Sequence, residues 1–254
     1  MAITTDVRAS LAAASALDTI FAPVRSQTAF EEAVDRLGTA IGLGLLPPGT
    51  RLPAERELAD RLGIARSTLR QALVALGQSG HLHALRGRGG GTFVADPLPP
   101  TPPPSAELIA HWRGLCDERL AVETGIAVLA AERARPERLD VLDQLAVAID
   151  GMLEDFAAYR QADIRLHVGL AEATDCPRLV TTMTEVQGAM SGLISLIAHP
   201  PQVLHSSNLQ HRRLLTAVRR RDVAGAAREM AEHVRGTEHV LAGLLPTLQP
   251  KRAP

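Results

Sequence analysis

The sequence predicts a mainly α protein in two units, a small N-terminal one closed by a β-ribbon and a larger all-α antiparallel helical bundle, and three observations predict it. Aromatic residues are only 2% of the 254 residues while hydrophobic residues are 46%. The apolar content is therefore mostly Ala, Leu and Val, a mixture that favours helices over strands. Six prolines fall within the nine residues 96–104, "DPLPPTPPP", which cannot continue a helix and favour a stiff extended linker. Behind that linker the apolar period is helical throughout. Ahead of it, helical stretches give way to a glycine-rich segment between two short extended runs.

The elements follow in order. Residues 1–26 hold scattered Ala, Ser and Thr without sustained period and read as a flexible arm. The first unit spans 27–96. From residue 29 to 44, Ala33, Leu37, Ala40 and Ile41 form one helical stripe. "LLPPGTRLP" is a turn with an extended exit. A second helix covers 53–62, with Pro at its start and glutamates in its first turn. Gly63 breaks it, a third helix covers 65–79, and Gly80 stops that one. "HLHALRGRGGGTFVA" then gives strand, basic glycine turn and strand. Helix, helix, tight turn, helix and β-ribbon make a winged helix-turn-helix. After the linker, 97–105, the bundle spans 106–246 with helices near 106–134, 136–157, 159–173, 178–198, 206–220 and 222–244, and breakers at Pro136, Pro177 and the Pro200–Pro201 pair. Residues 247–254 form a tail.

Charge and cysteines narrow the function. Net charge is −1, but residues 51–91 carry seven arginines against Glu55, Glu57 and Asp60. That local excess of +4 points toward phosphate. Cys116 and Cys176 are the only cysteines, which excludes a disulfide framework and a thiolate metal site and fits a reducing cytoplasm. The Ala-rich stretch at 10–16 is too short and weakly apolar for an export signal or membrane span. The expectation is a cytoplasmic protein without membrane contact.

The third helix is the DNA-reading candidate. Its first turn offers Ser67 and Thr68 hydroxyls and free backbone N–H groups for phosphate oxygens. Arg66 and Arg70 are four apart and share a face, and an arginine in the major groove makes bidentate contact with guanine. Leu69, Leu73 and Leu76 face the domain interior. Arg56 on the preceding helix reaches the DNA backbone or a base edge, and Arg88 stands among glycines where no Cβ hinders approach to a groove. The segment "RLPAERELADRLGIARSTLRQALVALGQSGHLHALRGRGGGTFV", residues 51–94, resembles the GntR family of bacterial regulators. The resemblance implies DNA contacts at Arg56, Arg66, Ser67, Thr68, Arg70 and a wing glycine, Gly89. Two departures stand out: Ala65 takes a place where Thr or Ser is common, and the wing carries an extra glycine over 89–91.

In the bundle the histidines form a pattern. Asp163 and His167 are i,i+4 and share a helix face. His211 lies 11 residues before Asp222 and His233 lies 11 after it, so an antiparallel hairpin turning there sets them at one height. Three imidazoles and a carboxylate converge, a set suited to Zn²⁺, Ni²⁺ or Mn²⁺ with open positions for a ligand. By spacing, no further Glu or Asp stands beside the set as a general base. Arg119 lies four before Glu123, which reads as an ordinary i,i+4 ion pair. The stretches "LCDERLAVETGIAVLAAERA", "ADIRLHVGLAEAT" and "NLQHRRLLTAVRRRDVAGAAREMAEHV" resemble the FadR-type effector domain called FCD. That resemblance places metal ligands at Asp163, His167, His211 and His233 and turns Arg119 into the cavity to hold an effector carboxylate.

The combined expectation is a ligand-responsive, homodimeric, non-enzymatic transcriptional regulator. It binds a pseudo-palindromic double-stranded operator and is a repressor released by a small carboxylate such as a sugar acid or hydroxy acid. The alternatives are a helical-bundle metalloenzyme with an accessory DNA-binding module and a non-specific DNA-architectural protein.

Overall fold

The computed structural model describes residues 28–87, 89–100, 105–195 and 200–244. The expected arm and tail, Arg88, and linker residues 101–104 lie outside them.

Helix α1 (Ala29–Gly42) starts in a reciprocal cap. Glu31 N–H donates to Thr28 Oγ1 (3.2 Å), and Thr28 N–H donates to the Glu31 carboxylate (2.7 Å), satisfying two donors that an uncapped first turn leaves bare. Of its expected stripe, Ala33, Leu37 and Ile41 are buried and Ala40 is half-buried. Helix α2 (Glu55–Leu62) ends at Gly63, whose φ of +66° closes the tight turn. Helix α3 (Arg66–Gln78) follows and buries Leu69, Ala72, Leu73 and Leu76. Strands β1 (Leu82–Leu85) and β2 (Gly91–Val94) pair antiparallel from Leu82↔Val94 to Leu85↔Gly91. A bridge between Arg51 and Phe93 ties the turn after α1 to this ribbon. The core of the unit joins Leu37, Ile41, Leu52, Leu58, Leu69, Leu76, Leu82 and Val94, so α3 is held by leucines on one face and leaves the other to solvent. This is the expected winged helix-turn-helix.

The bundle comprises α4 (Ala106–Ala110), α5 (Trp112–Arg133), α6 (Pro136–Ile149), α7 (Phe156–Glu172), α8 (Pro177–Ile194), α9 (Pro201–Arg219) and α10 (Val223–Leu244). Besides the start of α7 at Phe156 rather than 159 and the end of α8 at Ile194 rather than 198, three boundaries differ from the sequence expectation. The first helix is interrupted at His111, which leaves the helical region at φ −105° and ψ 11°. The second stops at Ile149 rather than running to 157, because the chain tightens into a 3₁₀ turn over Asp150–Met152 and Asp155 caps α7 by accepting from Ala158 N–H (3.0 Å). Asn208 holds that corner, donating to Ala146 O (2.8 Å) and Asp150 Oδ1 (2.6 Å). Finally, α9 begins at Pro201 rather than 206: the proline expected to break the chain opens the helix, where its missing N–H costs nothing.

The two units share packing. Leu43, just after α1, is 4% exposed and belongs to the hydrophobic core of the bundle, with Leu45 packed against it. Gly188 on α8 lies so close to α1 that a Cβ there would sit 2.9 Å from Thr39 Cγ2, and a Cβ on Gly44 would sit 2.8 Å from Gln161 Cδ. Beside these contacts a cleft of about 970 Å³ opens between α1, α7 and α8.

Candidate metal centre and nucleic-acid interface

Three helices deliver one cluster. Helix α7 supplies Asp163 and His167 one turn apart, α9 supplies His211 and α10 supplies His233, all buried. The α9–α10 turn falls where the spacing required it. Arg221 adopts φ +59°, Asp222 accepts from Gly225 N–H (2.8 Å), and the Arg221 guanidinium fastens the hairpin to Ala131 O (3.1 Å) and Ala134 O (2.7 Å) at the end of α5. His211 Nε2 consequently lies 3.3 Å from His233 Nε2 and 3.3 Å from Asp163 Oδ1, with His167 Nε2 3.8 Å from the same oxygen. One ligand atom from each of the four residues falls within 4.8 Å of the others. Tetrahedral ligands at about 2.1 Å from a metal sit roughly 3.4 Å apart, so the set needs only a small contraction to close on an ion.

The protonation chemistry agrees. Burial drives His211 down to about 4, with the neighbouring imidazole of His167 adding to the effect and Asp163 opposing it. Burial and the adjoining histidines also hold His233 well below its ordinary value. Asp163 is pulled well below the carboxylate range, because His167, Arg160 and His211 outweigh the cost of its burial. Neutral imidazoles and an ionised carboxylate are the forms that bind a divalent cation. His167 Nε2 is buried without a hydrogen-bond partner among the described residues, and an unmade bond in that setting is costly unless a ligand fills it. The residues fit a metal.

The surroundings add groups that spacing did not reveal. Glu123 lies beside the set after all: its Oε2 is 2.5 Å from His167 Nδ1. It stands on the side of the ring away from Asp163 and the other histidines, where a carboxylate fixes the orientation and tautomer of a ligating imidazole. Its Oε1 accepts from Arg119 Nε (2.7 Å) and Gln187 Nε2 (2.9 Å). The i,i+4 ion pair expected of Arg119 is therefore real but wholly internal, at 2% and 0% side-chain exposure. Burial opposes the charge on both partners, yet each holds the other ionised, Arg119 shifted up and Glu123 well down. Arg160 completes the wall, donating to Asp163 Oδ2 (2.6 Å). Arg119, Tyr159, Arg160, Asp163, Gln210 and His233 line a cavity of about 220 Å³. Arg119 Nη1 is buried without a hydrogen-bond partner among the described residues.

At the other end of the molecule, the side chains expected on DNA sit on the solvent face of α2 and α3. Arg56, Arg66, Ser67 and Arg70 are exposed and Thr68 is half-buried. Ala65 is the N-cap of α3 and supplies no side-chain bond, so the first-turn N–H groups stay open. Arg70 also has a partner within the unit: Glu55 of α2 accepts from its Nη2 (2.8 Å) and Nε (3.1 Å). In the wing, Gly89 takes φ +89°, and a Cβ on Gly90 would lie 2.4 Å from Leu85 O. The glycines are thus required by the turn itself.

Two family models match the chain: "Bacterial regulatory proteins, gntR family" over residues 29–94 and "FCD domain" over residues 115–236. A protein of Escherichia coli (strain K12) named "Putative L-lactate dehydrogenase operon regulatory protein" is 31% identical over 223 residues, covering 80% of this chain and 83% of that protein. The chain belongs to the gntR family of bacterial regulatory proteins. The Mycobacterium gastri protein named "Putative HTH-type transcriptional regulator RmpR" is 36% identical over 163 residues, 61% of this chain and 58% of its own length, so the match spans less than two thirds of that relative. The solved structure of E. coli McbR/YncC shares the fold, with a TM-score of 0.54 at 19% identity over 85% of this chain and 98% of that one. This gntR-family chain is a transcriptional regulator with an FCD domain, not an enzyme. Among the described residues no helix is long and apolar enough to cross a membrane.

Proposed function

We propose that this gntR-family regulator is a metal-dependent sensor of a small carboxylate, acting as a cytoplasmic homodimeric repressor that leaves its operator when the acid binds. The observation that carries the reading is the junction of the four-residue cluster with the 220 Å³ cavity, which is lined by Arg119, a residue whose buried Nη1 has no hydrogen-bond partner among the described residues. Asp163, His167, His211 and His233 hold Zn²⁺, Ni²⁺ or Mn²⁺, which when bound supplies a Lewis-acid contact for a carboxylate or hydroxyl oxygen. Arg119 holds the carboxylate by charge-assisted hydrogen bonds. The cavity lies below the usual size of drug-like sites, so the acid is small. A relative named for an L-lactate dehydrogenase operon makes L-lactate the first hydroxy acid to try. On the DNA side, Arg56, Arg66, Ser67, Thr68 and Arg70, with Arg88 and Gly89 of the wing, engage operator backbone and base edges.

The test is a gel shift on DNA flanking the gene, with metal-loaded protein and a panel of hydroxy and sugar acids. Specific retardation relieved by one acid, and lost relief in Arg119→Gln, is the expected result. Retardation indifferent to sequence and to every acid refutes the reading. Elemental analysis of His211→Ala and His233→Ala tests the metal: content unchanged from the parent protein means that the cluster is only packing.

A further inference from the structure

Arg160 stands where the small cavity at the cluster and the cleft against the DNA-binding unit adjoin. With Phe156 and Ile194 it lines both the small cavity at the cluster and the larger cleft against the DNA-binding unit, so its side chain is part of the partition. On one side its Nη1 donates to Asp163 Oδ2 (2.6 Å), while the other oxygen of that carboxylate, Oδ1, faces His211 (3.3 Å) and His167 (3.8 Å). On the far side its Nη2 donates to Gln187 Oε1 (3.0 Å) and Ser191 Oγ (3.3 Å) of α8. Gln187 in turn donates to Glu123 Oε1, the oxygen that also receives Arg119. The arginine pair and the metal-ligand carboxylate thus converge on one turn of α8.

That turn carries one of the contacts with the DNA-binding unit. Gly188 follows Gln187 and is pressed against Thr39 of α1, and Gln161, next to Arg160 on α7, is pressed against Gly44. A shift of α8 or α7 has no slack to absorb it at either glycine, because packed interfaces rearrange between discrete arrangements rather than deform smoothly.

We infer that Arg160 is the positioning residue that conveys occupancy of the cluster to the DNA-binding unit. A cation taking Asp163 Oδ1 draws charge away from Oδ2 and repels the guanidinium. Arg160 must then redistribute its bonds between the cavity and Gln187–Ser191, and α8 moves against Thr39. The inference rests on the metal reading above and is separable from it. Spatial intermediacy alone does not establish coupling, so the test measures it.

The experiment is hydrogen–deuterium exchange on the full-length protein, first stripped of metal, then with Zn²⁺ alone, then with Zn²⁺ and acetate. In the parent protein Zn²⁺ should change exchange in the ligand helices α7, α9 and α10 and also in residues 184–192 and 36–46. In Arg160→Gln, with Zn²⁺ content retained, the change in the ligand helices should persist and that in 184–192 and 36–46 should be lost. In Thr39→Ala, which leaves the cluster and its neighbours untouched, the change should reach 184–192 and be lost in 36–41, the part of α1 that faces Gly188, while 42–46 still responds through Gln161. If Arg160→Gln transmits the change to 36–46 as the parent does, or if the parent never transmits it although it binds Zn²⁺, the inference is overturned. A parent protein that binds no Zn²⁺ overturns the metal reading first, and this inference with it. Should Arg160→Gln fold poorly, Thr39→Ala decides on its own: an unaltered change across 36–41 refutes the route through Gly188.

Discussion

Replacing Glu123 by alanine removes the carboxylate on which three side chains converge. Arg119 loses its only described ion-pair partner while staying 2% exposed, Gln187 loses an acceptor at 2.9 Å, and His167 Nδ1 loses the oxygen at 2.5 Å. Breaking a buried ion pair from one side costs about 3–5 kcal/mol, because the remaining charge is left uncompensated. For a chain of this length each kcal/mol moves the melting temperature by about 2–4 °C. A loss near the middle of that range therefore lowers Tm by roughly 8–16 °C. The measurement is a thermal melt followed by far-UV circular dichroism on metal-stripped protein, which keeps ligand stabilisation out of the comparison. The paired variant Arg119→Leu with Glu123→Leu removes both charges together and should recover a large part of the loss, since apolar replacement of a whole buried pair is often near neutral. A Glu123→Ala protein melting within a degree or so of the parent, or a paired variant less stable than the single one, refutes the argument that the interior holds a mutually dependent ion pair.

Acid should weaken the metal-free protein in a defined window. Folded His211 is held near 4 against an ordinary value of 6.5. Between those values the unfolded chain takes a proton that the folded chain refuses, so stability falls with pH from about 6.5 and the loss from this residue is complete below about 4. It amounts to roughly 3 kcal/mol, and a flat Tm between pH 6.5 and 4.5 would show that His211 takes its proton without penalty. On DNA, Arg66→Ala should cost about 1–3 kcal/mol on a specific site, roughly 5- to 150-fold in Kd, and little stability because the side chain is exposed. An equal loss on random DNA would make it a phosphate contact instead. Thr28→Ala removes one half of the reciprocal cap on α1 and should cost about 1 kcal/mol in chemical denaturation. No measurable change would mean that water caps the helix equally well.

Legibility in the sequence followed the range of the interactions involved. The helical stripe Ala33, Leu37, Ile41 and the leucines of α3 are local patterns, and they lie buried as their period required. The His211–His233 pair was readable because a single hairpin turn at Asp222 fixes both heights. Arg160 and Gln187 were not readable: an arginine and a glutamine on amphipathic helices look like surface residues until α7 and α8 are packed together. Glu123 was visible only as a partner for Arg119, since its approach to His167 spans 44 residues of chain and depends on how α5 crosses α7. The premature end of α6 was missed because its corner is held by Asn208 from α9. Capping by Asp155, with Gly151 just before it, was the one local signal available.

Leu43 bears on how the chain folds. Its side chain leaves the DNA-binding unit to complete the interior of the bundle, and burying a leucine contributes about 1.5–3 kcal/mol. A bundle fragment cut at the proline linker would keep every cluster residue and Arg119 and still lack that side chain. The two halves should then melt together in the intact protein, and the severed bundle should melt earlier than the whole chain. Dividing the polypeptide at its most obvious boundary would separate the DNA-binding unit from the bundle in sequence while leaving a cavity in the bundle where Leu43 belonged.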